Sequence, residues 1–168
     1  MRALVVGSGG REHALAWKIA PSAGCDRLFA APGNAGIAEV AECLPVSATD
    51  VPALVRAAQD VAADLVVVGP EAPLAAGLVD ALTEAGILAF GPTQAAAQIE
   101  ASKSYAKELM CQAGVPTARF ARFTELGSAH AYLTRLAAAG VADAVVKADG
   151  LAAGKGAIVC DTLAAARA

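Results

Sequence analysis

Charge of either sign is sparse and dispersed in this chain. Its 13 Lys and Arg and 16 Asp and Glu are interspersed and leave a net charge of −3. That pattern offers no basic face for nucleic acid and no polybasic segment for an anionic membrane surface. The longest stretch free of charge, residues 85–99, contains Gly91 and Pro92 and is too short and too broken to cross a bilayer. Residues 1–6 are a brief apolar start with no long hydrophobic region and no cleavage pattern before the glycines, so no secretion signal is read there. Cys25, Cys43, Cys111 and Cys160 are scattered without a C-x-x-C pair, which implies no zinc site and suits the thiols of a reducing compartment. The class expected is a cytoplasmic protein with small-molecule ligands and no nucleic-acid or membrane partner.

What is present is apolar. Of 168 residues, 57% are hydrophobic and 17% charged, enough to bury a core in one full domain, or in one small domain plus part of another. Apolar runs at 3–7, 28–31, 65–68 and 87–90 read as strands, with 44–46 a weak edge strand because Pro45 removes a ladder donor. Helices are expected between them. One begins at 11, with Ala14, Leu15, Trp17 and Ile19 against the sheet. Another runs from a Thr49 or Asp50 cap to 63, with Leu54, Val55, Ala58 and Val61 inward, and a third covers 74–85. Strict alternation of strand and helix predicts an α/β fold with an open parallel, Rossmann-like sheet over residues 1–101. Residues 102–117 form a helical linker ending at Gly-Val-Pro-Thr. Residues 118–168 form a second α+β unit, with strands at 119–123, 144–148 and 157–160 and a helix at 128–139.

Ligands of open parallel sheets gather beyond the carboxyl ends of the strands. Those ends are Gly7–Gly10, residues 32–34, 69–71 and 91–93, all rich in Gly or Pro. Gly7-Ser8-Gly9-Gly10 invites a dinucleotide reading, but Glu12 stands where the fingerprint has its third glycine, and the second strand ends without an acidic residue. A phosphate-bearing ligand fits better: a helix start supplies free N–H groups and Arg11 a fork of donors. A tight turn with no ligand explains the glycines equally well.

The stretch V-V-K-A-D-G-L-A-A-G-K-G, residues 145–156, carries Lys147 and Lys155 around Gly150, Gly154 and Gly156. Its glycines would admit backbone N–H groups close to phosphate, and its lysines supply charge. It is not a Walker A loop. The glycine spacing is one residue short, Gly156 replaces the Ser or Thr, and 157–160 continues as strand instead of helix. The reading is a strand–loop–strand phosphate flap.

Together these loops resemble glycinamide ribonucleotide synthetase, the phosphoribosylamine–glycine ligase family of the ATP-grasp superfamily. The matching residues are V-V-G-S-G-G-R-E-H-A-L-A (5–16), A-P-G-N-A-G (31–36), G-P-E-A-P-L (69–74), F-G-P (90–92), S-K (102–103), G-V-P-T (114–117) and the flap (145–156), collinear along the chain. The resemblance implies a pre-ATP-grasp sheet domain followed by a partial ATP-grasp subdomain, and ATP-dependent joining of glycine to 5-phosphoribosylamine through an acyl phosphate. It implies that Lys103 and Lys147 contact nucleotide phosphates, and that Gly150, Gly154, Lys155 and Gly156 close over them. It assigns the phosphoribosyl substrate to Gly9, Gly10, Arg11, Pro32, Gly33, Asn34 and Glu71, with Glu71 accepting from ribose hydroxyls. Family members are longer, so the ligands of Mg²⁺ are expected beyond Ala168, with no complete catalytic set in this chain. Residues 162–168 begin a helix that nothing caps, and a fragment inactive alone is expected. The alternatives are a non-catalytic nucleotide or phosphosugar binder and an NAD-type Rossmann module.

Other tempting residues have plainer readings. Lys107 belongs on a solvated helix face, His13 in a surface or supporting role, and His130 in a structural one. Asp149 is expected to bond loop backbone rather than a cation.

Overall fold

Short aliphatic runs separated by helix-length segments set the frame of the first unit. The computed structural model describes residues 1–152 and 156–168, in two units, Met1–Ala101 and Ser102–Ala168. In the first, β1 (Arg2–Gly7), α1 (Gly10–Ile19), β2 (Arg27–Pro32), β3 (Glu42–Cys43), α2 (Val51–Asp60), β4 (Leu65–Val68), α3 (Glu71–Ala75), α4 (Leu78–Glu84), β5 (Leu88–Phe90) and α5 (Gln94–Ala101) follow in order. The sheet runs β3-β2-β1-β4-β5 with every pairing parallel. The chain therefore winds outward from β1 in one direction and then the other, and the crevice between β1 and β4 is the switch point.

Successive strand side chains point to opposite faces. Leu4, Val6, Phe29, Ala31, Val66 and Val68 meet Leu54 and Ala58 of α2 and Leu78, Val79 and Leu82 of α4. Ala3, Val5, Leu28, Ala30 and Val67 meet Ala16 of α1 and Ile37. Both faces are covered, which is why these strands are apolar throughout instead of alternating with polar residues.

Several elements differ from expectation. Trp17 is 65% exposed, and Ala14 is exposed too, while Glu12 and Ala16 are buried. At about 100° per residue, positions 12, 16 and 19 share the sheet-facing side of α1, and 14 and 17 fall outside it. The edge strand is Glu42–Cys43 and not 44–46, because Pro45 ends the ladder after Leu44 N–H reaches the Ala30 carbonyl at 2.8 Å. Asp50 caps α2 by accepting the Ala53 N–H at 3.0 Å. That helix stops at Asp60, since Ala62 turns left-handed (φ 49°) and Ala63 N–H closes back on the Ala58 carbonyl. Residues 74–85 are not one helix: Gly77, at φ 86°, separates α3 from α4.

The second unit holds α6 (Lys103–Gln112), α7 (Leu126–Ala138) and the antiparallel pair β6 (Ala144–Lys147) and β7 (Ala157–Cys160). The predicted hairpin is present, in register Val145↔Val159 and Val146↔Ile158. Residues 119–123 are not a strand. Among the described residues no strand lies beside them to satisfy alternating backbone groups. The tail forms one short 3₁₀ turn, Ala165–Arg167, in place of a longer helix. β6 and β7 expose Val145, Val146, Ile158 and Val159, so this unit buries far less aliphatic surface than the first.

Fully buried Leu4 should lower the stability of the first unit by about 3 kcal/mol when replaced by Ala. Exposed Trp17→Ala should change it by less than about 0.5 kcal/mol. Urea unfolding of both variants checks the pair, and a larger loss from Trp17→Ala would reverse the assigned orientation of α1.

Candidate functional site

The glycine turn after β1 is built around a carboxylate. Glu12, at the third position of α1, is 4% exposed, and its Oε2 accepts the Gly9 N–H at 2.7 Å. This is the reciprocal half of a capping box, with Gly at the N-cap unable to supply the other half. A Cβ at Gly7, Gly9 or Gly69 would run into the Glu12 side chain. Three glycines from two loops thus make room for one carboxylate, and Gly7 also takes φ +128°. Gly10 differs, since a Cβ there would meet open space.

Across the switch point, Arg11 donates from Nη2 to Glu71 Oε1 at 2.9 Å and from Nη1 to the Gly69 carbonyl at 3.2 Å. The Glu71 carboxyl is held below its ordinary value, first by its own backbone N–H at the start of α3 and then by Arg11. The Arg11 guanidinium is correspondingly raised by Glu71. Arg11 and Glu71 line a cavity of roughly 310 Å³ with Leu74, Pro92, Ala97 and Glu100.

The turn after β2 is tied to the same place. Asn34 donates from Nδ2 to the Ser8 carbonyl at 2.8 Å and accepts the Ile37 N–H on Oδ1 at 2.9 Å. Gly33, at φ +72°, donates its N–H to the Gly7 carbonyl at 3.1 Å. Pro32 follows a cis peptide bond and pairs with Gly7 at the end of β2. The His13 ring lies against Gly36, where a Cβ would collide with it. Gly9, Arg11, Pro32, Gly33, Asn34 and Glu71 therefore meet at one end of the sheet, with Gly10 at its margin. β2 carries no acidic residue at that end, leaving no carboxylate there for the ribose of a dinucleotide.

In the second unit, Asp149 beside Gly150 clasps the start of α6. Its carboxylate accepts from Ser102 Oγ at 3.2 Å, from Ser104 N–H at 3.2 Å and from Gly150 N–H at 3.0 Å. Ser102 caps the helix by accepting the Tyr105 N–H at 3.1 Å. Lys103 Nζ donates to the Gly150 carbonyl at 2.8 Å. The backbone role expected of Asp149 is observed, and the sequence reading missed that it reaches Ser102 and Ser104, 45 to 47 residues away. Lys147 is exposed at the end of β6, and the Gly156 carbonyl accepts the Ala148 N–H at 2.8 Å. Gly154 and Lys155, predicted to belong to the phosphate flap, lie outside the described residues.

Lys107 is a correction. It is not on a solvated face: its Nζ bonds Thr117 Oγ1 and the Ala118 carbonyl and stands 5.7 Å from the Phe120 ring centroid. The neighbouring Glu108 pairs with Arg122 at 3.1 Å. Sequence spacing showed which helix face these residues occupy but not that the segment after α6 folds back onto it. Among the described residues no group of three His, Cys, Asp or Glu side chains could hold a metal ion, and no helix is long and apolar enough to cross a membrane.

Comparison with known proteins places these features in context. Residues 1–100 match the family model described as phosphoribosylglycinamide synthetase, N domain, and residues 101–168 match its ATP-grasp (A) domain. The chain is 52% identical over 165 residues to the phosphoribosylamine–glycine ligase of Vibrio cholerae, covering 97% of this chain and 38% of that protein. It is 53% identical over 165 residues to the ligase of the same name from Haemophilus influenzae, with the same coverage. The crystal structure of phosphoribosylamine–glycine ligase from Thermotoga maritima superposes with a TM-score of 0.74 at 28% identity, covering 99% of this chain and 38% of that one. The chain thus spans less than two fifths of the length of these relatives.

The Asp149 carboxyl is lowered to about 2 from its ordinary 3.8, chiefly by the Ser104 backbone N–H. A carboxyl depressed by folding stabilises the folded form above its unfolded value, and that stabilisation disappears as pH falls toward 2. A carbon-detected titration of Asp149 should therefore show a midpoint near 2. Asp149→Ala should speed amide exchange at Ser104 and Gly150; unchanged exchange would remove the clasp.

Proposed function

The chain belongs to the phosphoribosylglycinamide synthetase family, and from that premise we propose that its protein joins glycine to 5-phosphoribosylamine at the expense of ATP. In that reaction a glycine carboxylate oxygen attacks the γ-phosphorus and ADP leaves. The amine of phosphoribosylamine then attacks the acyl carbon of the glycyl phosphate, and phosphate departs as glycinamide ribonucleotide forms. Such catalysis consists mostly of positioning and of neutralising phosphate charge.

The observation that carries the reading is the convergence of Arg11, Glu71 and three strand-end turns at the switch point of the first unit. An arginine fork beside a helix start suits the 5-phosphate. A carboxylate kept ionised below its ordinary range suits ribose hydroxyls, because it accepts and does not donate. Gly9, Gly10, Pro32, Gly33 and Asn34, at the ends of β1 and β2, are assigned to the same substrate. In the second unit, Lys103 and Lys147 are assigned to nucleotide phosphates, with Gly150 and Gly156 allowing close backbone approach. Lys103, held on the Gly150 carbonyl, would exchange that acceptor for a phosphate oxygen. The Mg²⁺ that accompanies ATP is assigned ligands outside these 168 residues. The setting proposed is the cytoplasm, with small-molecule partners only.

Calorimetric titration of the chain with ribose 5-phosphate, ATP and NAD tests the assignment. Binding of the first two and none of the third is expected, with Arg11→Ala weakening ribose 5-phosphate about tenfold, the loss of charge-assisted bonds. Tight NAD binding without a response to ribose 5-phosphate would overturn it. For the ligation itself, ADP release by the full-length gene product should require both glycine and phosphoribosylamine.

A further inference from the structure

Arg11 and Glu71 are the two charged groups assigned to the phosphosugar, yet here each is engaged by the other at 2.9 Å. A phosphate needs the donors of Arg11, and a ribose hydroxyl needs the oxygens of Glu71. A ligand that uses both must part the pair, and if both Nη groups turn from Glu71 and the Gly69 carbonyl to phosphate, Nε–H alone is left to find an acceptor that keeps the guanidinium at the turn. Without one, it would gain solvent freedom that binding has to remove.

Glu12 has that acceptor. Its Oε2 is occupied by the Gly9 N–H, while Oε1, fully buried, has no hydrogen-bond partner among the described residues. A buried carboxylate oxygen without a donor is costly, and native structures rarely keep one without a reason. The side chain is closely packed against Gly7, Gly9 and Gly69. Arg11 Nε stands 3.8 Å from Oε1, outside hydrogen-bond range but within about 1 Å of it. Capping alone would require only Oε2.

We infer that Glu12 is the positioning residue for Arg11. Its Oε1 receives Arg11 Nε–H when a phosphosugar separates Arg11 from Glu71, so the guanidinium pivots between two carboxylates and presents its Nη groups to phosphate. This rests on the phosphosugar reading of the site. It adds that the unliganded Arg11–Glu71 pair is a resting state, and that Glu12 sets where Arg11 goes when that pair opens.

Glu12→Gln tests this in the 168-residue chain. The amide oxygen can still accept from Gly9 and the volume is kept, but the amide nitrogen would face Arg11 donor to donor. The variant should unfold within a few degrees of the parent and bind ribose 5-phosphate about tenfold more weakly. Equal affinity in the two proteins would overturn the inference and leave the phosphosugar reading standing. Failure of the parent to bind ribose 5-phosphate would overturn both. Nitrogen-detected NMR of the Arg11 side chain in the parent gives a readout that does not depend on the variant folding. On saturation with ribose 5-phosphate, the Nε–H signal should move downfield and exchange more slowly with water. An unmoved signal at saturation would refute the pivot.

Discussion

A carboxylate packed beneath three glycines joins the two loops on which the first unit's site depends. Glu12 occupies space that side chains at Gly7, Gly9 and Gly69 would otherwise take. The end of β1, the start of α1 and the end of β4 are therefore fitted around a single group. This explains why Gly7, Gly9 and Gly69 are glycines: they are small because Glu12 is large. It also accounts for the departure from the dinucleotide fingerprint, since Glu12 stands in the third glycine's place, where that fingerprint needs the helix packed closely on the strand.

Above that carboxylate the electrostatics are local and reciprocal. Arg11 is raised and Glu71 lowered by the same contact, and the start of α3 adds its own N–H to the Glu71 carboxylate. The pair is partly exposed, so its contribution to stability is small. Its consequence is geometric: it draws the glycine turn and the β4 loop together over the switch point. Asn34 adds the β2 turn through Ser8, leaving three strand ends linked by side-chain bonds that the sheet hydrogen bonds do not supply.

The second unit is held differently. Its two-stranded sheet leaves four aliphatic residues exposed, and a hairpin of that size has little stability alone. Polar contacts compensate locally. Asp149 and Lys103 tie Gly150 to the start of α6, and Lys107 and Glu108 hold the following segment against the same helix. The first unit rests on buried aliphatic surface, whereas this one depends more on hydrogen bonds made by residues near the lysines assigned to phosphate.

The strand runs and their order along the chain were legible in the sequence, because a parallel sheet covered on both faces demands uninterrupted aliphatic stretches, and strand ends were marked by Gly and Pro. The hairpin around residues 147–157 was legible for a related reason: β-branched runs flank glycines at a spacing no P-loop allows. The orientation of α1, the break at Gly77 and the absence of a strand at 119–123 were not, since each depends on what packs alongside. The carboxylate of Glu12 was hidden because a glycine N-cap erases half of the capping signature. Arg11 and Glu71, 60 residues apart, could each be singled out as a ligand group, but not as partners. Local sequence determined which residues lie at the strand ends, because backbone periodicity and turn chemistry act over a few positions. Only the tertiary structure decided which of those residues meet, because pairing across the switch point depends on the parallel β1–β4 register, which brings distant loops to the same edge.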